Sequence, residues 1–391
     1  MKSILVLSNG YGEDEIAASV IKEIKKADPS IDIYALPLVG KGYVYNDLDV
    51  KKLGPTKLMP SGGLVPANHF KMLVGDIIAG LIPLTIGQIK SILKIRPKID
   101  LALSVGDSYP VIMNSLFTRK KQIFIGTAKS NYFCPYSKKE KDLFKKYCHL
   151  VFPRDALTAR DLSESGVNAE YVGNVMMDSI NVTGFSFNLK YPEVFIGVFP
   201  GSRESVYKDF PFILEVAEAI NKKVKWGVKY FAALAPSVDI GDMTASSIGL
   251  GWEITTTNCA KGIVAKLSKA NIEVNLTRGI FGDILQNAHI VLGQAGTANE
   301  QAVGMGKPVV AFEEDTSDEK LGWYRLRQKG LLGDSLKIVV KDKNRVAEEL
   351  INILENPHKY EYMSKIGKTR MGLPGGARKI AERIIEEGTR D

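Results

Sequence analysis

The residue types best suited to chemistry lie in a short loop in the second half of the chain. Gly201, Ser202 and Arg203 follow the apolar run Val194 to Phe199, which has the composition of a buried strand. A small backbone, a hydroxyl and a fixed cation are groups that can hold a phosphate leaving group. The alternative is a plain turn with a solvent-facing arginine. We interpret the loop as half of a phosphate site because a second loop of the same kind follows it.

The second loop carries Gly296 and Thr297 and lies between two apolar, strand-like runs. A helix should begin here, and a helix start offers a phosphate free backbone N–H groups and the positive end of a dipole. Glu300 and Gln301 lie on the same predicted helix, where Glu300 can reach a ribose hydroxyl, as acidic residues do in nucleotide-binding folds. Thr297 and Glu300 also have the spacing of a capping box. Two such loops in one domain predict a bound diphosphate, and therefore a nucleotide-linked substrate.

Carboxylates that could move a proton lie in the first half of the chain. Asp107 follows the strand-like run Leu101 to Val105, and active sites of open parallel sheets lie at the carboxyl ends of strands. It could serve as the general base for a hydroxyl acceptor, or simply cap the helix that follows. Glu13 and Asp14, at the start of an earlier helix, are the reserve candidates for the base. Their alternative role is to balance the dipole of that helix.

The loop after the first strand supplies the candidate acceptor-side residues Asn9, Gly10 and Gly12. It contains Gly-x-Gly but not the fingerprint of a dinucleotide site, because Glu15 stands where the third glycine would fall. His69 is a further acceptor-side candidate, since it precedes a long apolar stretch. The four histidines and three cysteines show no metal-ligand spacing and no Cys-x-x-Cys pair, so we predict no metal, no cofactor and a reducing cytosol.

Charge and hydropathy point to an anionic surface. The chain has 391 residues and a net charge of +8, and residues 1–180 hold 24 Lys and Arg against 18 Asp and Glu. Met72 to Ile89 contains one charged residue, Asp76, and precedes a basic segment. Pro83 and three glycines make it a poor membrane span, so residues 66–98 are predicted to touch an anionic membrane surface as an interfacial helix or hairpin. A buried core helix is the alternative, and nucleic acid is disfavoured because basic and aromatic residues are not interleaved.

Apolar runs alternate with helical periodicity along both halves, which predicts α/β domains with parallel sheets. Periodicity is lost near 173–193 and resumes at Val194, which indicates a domain boundary. We therefore predict two Rossmann-like domains that face each other across a cleft, 1–173 for the acceptor and 190–373 for the nucleotide. Two helical runs are expected to close the chain, Asn344 to Leu354 and Gly376 to Glu387.

At these motifs the chain resembles a known family. Pro200 to Arg203 and Gly296 to Ala298 resemble the two signature loops of bacterial lipid-A-disaccharide synthase, and Tyr171 to Asp178 resembles the segment that closes its first domain. Ser8 to Asp14 and Gly296 to Val310 are still more similar to the lipid-A-disaccharide-synthase-related proteins.

The resemblance implies a metal-independent GT-B glycosyltransferase that inverts the anomeric carbon, with a UDP-sugar on the second domain and a lipid-linked acceptor on the first. It also implies that the last helix, 375–391, returns to the first domain. The synthase has its ribose-binding glutamate where this chain has Gln301, one position after Glu300. The predicted hexosyltransferase would be cytoplasmic and peripheral on the inner face of the cell membrane.

In the predicted scheme, helix N–H groups and Arg203 stabilise the departing UDP, and Asp107 takes the acceptor proton. The uracil is expected to pack near Ile280 and Phe281, largely through backbone contacts. Two alternatives stay open. One is an isomerase like the UDP-GlcNAc 2-epimerases, which share the two-domain design. The other is a non-catalytic membrane adaptor that binds a nucleotide sugar.

Overall fold

The computed structural model describes residues 1–59, 70–202, 204–257 and 261–389. It contains two compact units: Met1–Ser179 together with Leu373–Asp391, and Ile180–Gly372. The predicted limits left residues 174–189 unassigned, and the structure divides this segment after Ser179.

The first unit is built on one parallel sheet with the strand order β3-β2-β1-β4-β5-β6. Helices connect the strands, as the alternating apolar runs predicted. Its elements up to the domain boundary are β1 (Ser3–Asn9), α1 (Tyr11–Ala27), β2 (Asp32–Val39), β3 (Lys51–Lys52), α2 (Phe70–Ile78), α3 (Leu81–Ile95), β4 (Leu101–Gly106), α4 (Ser108–Met113), β5 (Lys121–Gly126), α5 (Lys138–Tyr147), β6 (Leu150–Pro153) and α6 (Ala156–Glu164).

The second unit is built on an eight-stranded sheet with the order β14-β13-β12-β7-β8-β11-β10-β9. Its elements are β7 (Val194–Phe199), α7 (Ser205–Lys223), β8 (Val228–Ala233), α8 (Ile240–Gly249), β9 (Glu253–Thr256), β10 (Gly262–Lys269), β11 (Ile272–Arg278), α9 (Phe281–Asn287), β12 (Ile290–Gly293), α10 (Thr297–Gly304), β13 (Val309–Glu313), α11 (Trp323–Leu332), β14 (Leu336–Val340), α12 (Lys343–Glu355) and α13 (Pro357–Met371). The last helix, α14 (Gly376–Thr389), belongs to the first unit, where Ile380 and Ile384 are buried in the core beside α1.

The second sheet differs from the predicted all-parallel arrangement at one edge. β10 runs antiparallel to both β9 and β11. Two residues join β10 to β11, and Ala270 takes a positive φ of 52° there. A connection this short can join only antiparallel strands, because a parallel pair needs a crossover of a dozen or more residues. The pattern of apolar residues along a strand is the same whether the strand runs parallel or antiparallel to its neighbour. The sequence pattern alone therefore did not show the antiparallel pairing of β10.

The closing helices also differ from the prediction. Between the two predicted runs lies a further helix, α13, which starts with Pro357 and is capped by the Asn356 side chain. Its buried residues within the described part are only Met363, Gly367 and Met371. A helix with so narrow an apolar stripe has weak periodicity, and this is why it was missed.

The apolar stretch at Met72–Ile89 forms parts of two helices, α2 and α3, separated by Gly80 at a positive φ of 98°. One face of α3 is buried, with Leu84, Gln88 and Ile92. The other face of α3 is exposed, so the segment is only partly a buried helix, and its contact with a membrane surface stays a prediction. Among the described residues, no helix combines the length and the apolar character that crossing a bilayer requires.

Each sheet contains a point where the strand order reverses. β1 lies between β2 and β4, and β7 lies between β8 and β12. Connections on the two sides of such a pair leave in opposite directions, which opens a crevice at the carboxyl ends of the two strands. The loops after β1 and β4, and those after β7 and β12, are therefore where ligands are expected.

Candidate active site

The two glycine-bearing loops line one cavity of about 980 Å³ in the second unit. Gly201 and Ser202 follow β7, and Gly296 and Thr297 follow β12, so the cavity opens at the strand-order reversal. The loops are also tied together, because the backbone N–H groups of Gln294 and Ala295 both donate to the Phe199 carbonyl, at 2.8 and 3.2 Å. The structure thus brings together the two segments that the sequence analysis paired.

Two helices begin at this cavity. Ser205 is the first residue of α7 and Thr297 is the first residue of α10, and both line the cavity. Within the described part of the chain, no side chain caps the amino end of either helix. Their first backbone N–H groups and positive dipole ends are suited to an anion such as a phosphate.

An aromatic side chain and a stretch of backbone line the cavity beside the two helix ends. Phe281 lines the cavity and packs its ring 5.2 Å from the ring of Phe199. Gly279, at a positive φ of 72°, lines it as well. Ile280 is buried just before α9 and is not among the residues that line the cavity, so of the two predicted base contacts only Phe281 faces it. A flat base could stack against such a wall.

Glu300 and Gln301 have different environments. The Glu300 carboxylate is buried and accepts a hydrogen bond from Arg327 Nη1 at 2.9 Å, whereas Gln301 lines the cavity. The predicted capping box does not form either, because Gly296 holds the cap position and Thr297 is already helical. Of the two predicted ribose contacts, Gln301 is therefore the one that lines the cavity, and the ribose role itself stays a prediction. Arg203 and His69 lie outside the described residues.

A second group of candidate residues meets at the strand-order reversal of the first unit. Asn9, at the end of β1, donates from Nδ2 to the Asp107 carboxylate at 3.1 Å. Asp107 also caps α4 by accepting from the Tyr109 N–H at 2.8 Å. Burial raises the pKa of Asp107, although these two donors offset part of the shift. A raised pKa suits a carboxylate that must accept and return a proton.

The neighbours of Asp107 make this a compact cluster. Glu13 Oε1 accepts from Thr127 Oγ1 at 3.3 Å. Gly106 takes a positive φ of 127°, and a Cβ placed on it would lie 3.1 Å from Glu13 Cγ and 3.5 Å from Asn9 Cβ. Among the described residues, no partner satisfies the buried Asn9 Oδ1. Glu13, in the first turn of α1, therefore packs against Gly106, the residue before Asp107, at the carboxyl end of β4.

The predicted acceptor-side residues between β1 and the first turn of α1 differ in exposure. Gly10, at a φ of 141°, precedes α1, and no side chain in the described part of the chain caps that helix. A Cβ added to Gly12 would meet no described atom within 4 Å. Gly12 is exposed, whereas Asn9 and Gly10 are buried, so of the three predicted acceptor-side residues only Gly12 lies open to solvent.

Asp14 is the least accessible of the predicted carboxylates. It is 2% exposed and accepts from Ser8 Oγ at 2.5 Å, and the Ser8 hydroxyl lies 2.6 Å from that of Tyr45. Burial raises the pKa of Asp14 from 3.8 to about 7, against the opposing effect of the Ser8 hydrogen bond. Sequence reasoning missed Ser8 and Tyr45, since nothing in the local pattern places residue 45 against residue 14.

Comparison with known proteins places this geometry in context. No family model matches the chain. Two curated relatives are UDP-N-acetylglucosamine 2-epimerases: that of Neisseria meningitidis is 24% identical over 106 residues, and that of Escherichia coli K12 is 26% identical over 103 residues. The first match covers 27% of this chain and 26% of the relative, and the second covers 26% and 24%. The chain thus matches only about a quarter of the length of these relatives.

Solved structures resemble the whole chain. The UDP-GlcNAc 2-epimerase of Neisseria meningitidis bound to UDP-GlcNAc has a TM-score of 0.59 at 17% identity, with full coverage of both chains. MurG of Acinetobacter baumannii has a TM-score of 0.58 at 12% identity, covering 99% of this chain and 100% of MurG. A calicheamicin glycosyltransferase has a TM-score of 0.61 at 11% identity, covering 100% and 99%.

These likenesses establish the class of protein by its fold. The chain has the GT-B fold of two Rossmann-like α/β domains, as predicted. The two curated relatives are UDP-N-acetylglucosamine 2-epimerases, so the sequence matches favour an epimerase over the lipid-A-disaccharide synthase that the motifs suggested.

Proposed function

We propose that this protein is an enzyme that acts on a UDP-sugar, with the diphosphate held in the cavity of the second unit. The observation that carries the proposal is the pair of helix amino ends, α7 and α10, at one cavity where the strand order reverses. The cavity volume of about 980 Å³ is large enough for a nucleotide sugar. Gln301 and Phe281 line the cavity, and we assign Gln301 to the ribose and Phe281 to the base.

The amino ends of α7 and α10 suit any reaction that breaks the bond between the sugar and the diphosphate. When the anomeric C–O bond breaks, negative charge develops on the departing β-phosphate oxygen. Backbone N–H groups fixed at the ends of α7 and α10 stabilise that charge without having to reorganise during the step. The predicted contribution of Arg203 stays part of this proposal.

The reaction that the comparisons support best is 2-epimerisation of UDP-GlcNAc, the activity named for the curated relatives. To invert C2, its proton must leave from one face of the sugar ring and a proton must return to the opposite face. This requires groups that accept and donate protons. Asp107 and Glu13, which meet at the strand-order reversal of the first unit, are our candidates for these roles.

A second candidate reaction, sugar transfer to a lipid-linked acceptor, is favoured by one surface of the first unit. Ile82 and Ile86 of α3 are exposed four residues apart, and the same stripe continues with exposed Lys90 and Lys94; Ile78, the last residue of α2, is exposed as well. Exposed apolar side chains followed by cations fit a bilayer interface with anionic headgroups. In this candidate reaction Asp107 is the base for the acceptor hydroxyl.

One incubation distinguishes the candidates. Purified protein with UDP-GlcNAc alone in D₂O should produce the 2-epimer, UDP-N-acetylmannosamine, with deuterium at C2, because the returning proton comes from solvent. Proton NMR of the sugar would record both changes. Release of UDP only when a polyprenyl-linked sugar acceptor is added would instead indicate transfer. Binding of UDP-GlcNAc with neither reaction would indicate a non-catalytic adaptor, and absence of binding would contradict the assignment of the cavity.

The surface stripe makes a separate prediction. Wild-type protein should float with phosphatidylglycerol liposomes at low salt, and Ile82→Glu should weaken this binding by about tenfold because a charge replaces a side chain that inserts between lipids. A matched control is Ile248→Glu, which changes an equally exposed isoleucine of α8 in the second unit. Equal flotation of the two variants, or none of the wild type, would remove the membrane role.

A further inference from the structure

The peptides before α10 are held by a buried side chain of α11 that also lines the cavity. Gln328 is 4% exposed, and its Nε2 donates to the carbonyls of Ala295 and Gly296 at 2.8 and 2.9 Å. These two carbonyls belong to the last peptides before α10. A single glutamine amide therefore holds two consecutive peptide groups of the candidate phosphate loop.

The orientation of this amide is fixed by Arg325. Arg325 Nη1 donates to Gln328 Oε1 at 2.7 Å, and an arginine side chain can only donate. The oxygen of Gln328 must therefore face Arg325, which leaves its two N–H donors for the loop carbonyls. Arg325 is itself held, since Nε pairs with Glu313 at 2.6 Å and Nη2 donates to Gln294 Oε1.

Because a peptide group is planar, a hydrogen bond that holds its C=O also fixes the direction of its N–H. In a planar trans peptide the C=O and the N–H point in opposite directions. The Ala295 carbonyl shares its peptide with the Gly296 N–H, and the Gly296 carbonyl shares its peptide with the Thr297 N–H. Gln328 holds the Ala295 carbonyl, and the Gly296 carbonyl is held both by Gln328 and by two backbone N–H groups within α10, so the N–H of each peptide points away from these donors. Gly296 and Thr297 line the cavity.

We propose that Gln328 is a positioning residue for the diphosphate, and that Arg325 acts through it. Gln328 fixes the orientation of two peptides so that their N–H groups are preorganised for an anion before it binds. Gln328 lines the cavity, but its partners account for both of its N–H donors and for one acceptor site of its oxygen, so we assign its effect to the loop. This inference rests on the proposed function, because it assigns a cause to diphosphate affinity in that cavity.

The test compares Gln328→Met with wild type for binding of UDP and of uridine by isothermal titration calorimetry and ligand-observed NMR. Methionine has a similar length but neither donates to the carbonyls nor accepts from Arg325. We expect UDP affinity to fall about tenfold or more while uridine affinity changes less than twofold. Gln88→Met is the matched control, because Gln88 is also buried and donates to the Leu38 carbonyl at 2.9 Å, but in the first unit.

Each result has a defined meaning. Equal loss of UDP and uridine affinity in Gln328→Met, or no loss of either, would overturn the positioning role. Arg325→Lys should reproduce the selective loss, and the double variant should lose no more than either single variant, since both changes disturb one network. If Arg325 instead contacted the phosphate directly, the two losses would add. A wild-type protein that binds UDP no more tightly than uridine would contradict the proposed function itself.

Discussion

Replacing Asp107 with asparagine should lower turnover of a UDP-sugar by about a hundredfold or more, while the affinity for UDP stays unchanged. The carboxylate that moves the proton would be lost, but the diphosphate cavity lies in the other unit. Asparagine is also a good helix cap, so the hydrogen bond to the Tyr109 N–H should be retained and the fold preserved. Steady-state kinetics together with calorimetric titration of UDP would measure the two effects.

The control for this experiment is Asp155→Asn. Asp155 is a buried aspartate of the same unit that caps α6 by accepting from the Thr158 N–H at 2.8 Å. It shares the capping role of Asp107 but has no part in the proposed chemistry, so its replacement should leave turnover near wild type. Full activity in Asp107→Asn, or equal losses in the two variants, would place the proton-transferring group elsewhere.

The same carboxylate predicts a pH profile. Because burial raises the pKa of Asp107, a general base at this position ionises at a higher pH than an ordinary aspartate. Activity should therefore fall on the acid side at a pH above the usual range for aspartate. In the Asp107→Asn variant, the residual activity should no longer fall at this acid pH.

Replacing Asp14 with asparagine should make the first unit progressively more stable than wild type as the pH rises. In wild type the folded pKa of about 7 lies above the ordinary value of 3.8, so the folded state holds its proton more tightly. The stability linked to this proton is fully present below pH 3.8 and is lost as the pH rises to about 7. At 1.36 kcal/mol per pKa unit, the whole difference is on the order of 4 kcal/mol, with about 2–3 kcal/mol of it between pH 5 and 8.

Hydrogen exchange of β1 peptides, corrected for the intrinsic rate at pH 5 and pH 8, would measure this effect locally. A local measurement is needed because a chain with two units need not unfold in a single step. Tyr45→Phe is the control: it removes a hydroxyl from the same hydrogen-bonded group without removing the ionising carboxylate, so its stability difference from wild type should depend much less on pH. A difference between Asp14→Asn and wild type that stays constant from pH 5 to 8 would show that Asp14 does not titrate there.

Local patterns were enough to predict the α/β class. The apolar residues Ile16, Val20 and Ile24 recur at helical spacing, and all three are buried in α1. The predicted strand Leu101 to Val105 is buried and extends one residue further, to Gly106. These elements follow from periodicity because each buries its own apolar residues. The antiparallel edge at β9 and β10 did not follow, since pairing direction depends on neighbouring strands rather than on the pattern within one strand.

The candidate site was predictable to the level of the loop, not of the side chain. Glycine, hydroxyl and helix-start signals are local, and they identified Ser202 and Thr297, which line one cavity. The choice between Glu300 and Gln301 was not local. On a helix the two side chains point about 100° apart, and only the tertiary structure shows that Gln301 lines the cavity while Glu300 is buried against Arg327 of α11.

By itself, the sequence determined two α/β halves, the loops that leave their strands, and the residue types suited to a diphosphate and to proton transfer. These properties depend on neighbours within a few positions. The tertiary structure alone decided which groups meet: Asn9 with Asp107, Ser8 with Tyr45, and Gln328 with the peptides before α10. Such contacts join residues 32 to 98 positions apart, so they are fixed by the order and packing of whole strands and helices, which no local pattern records.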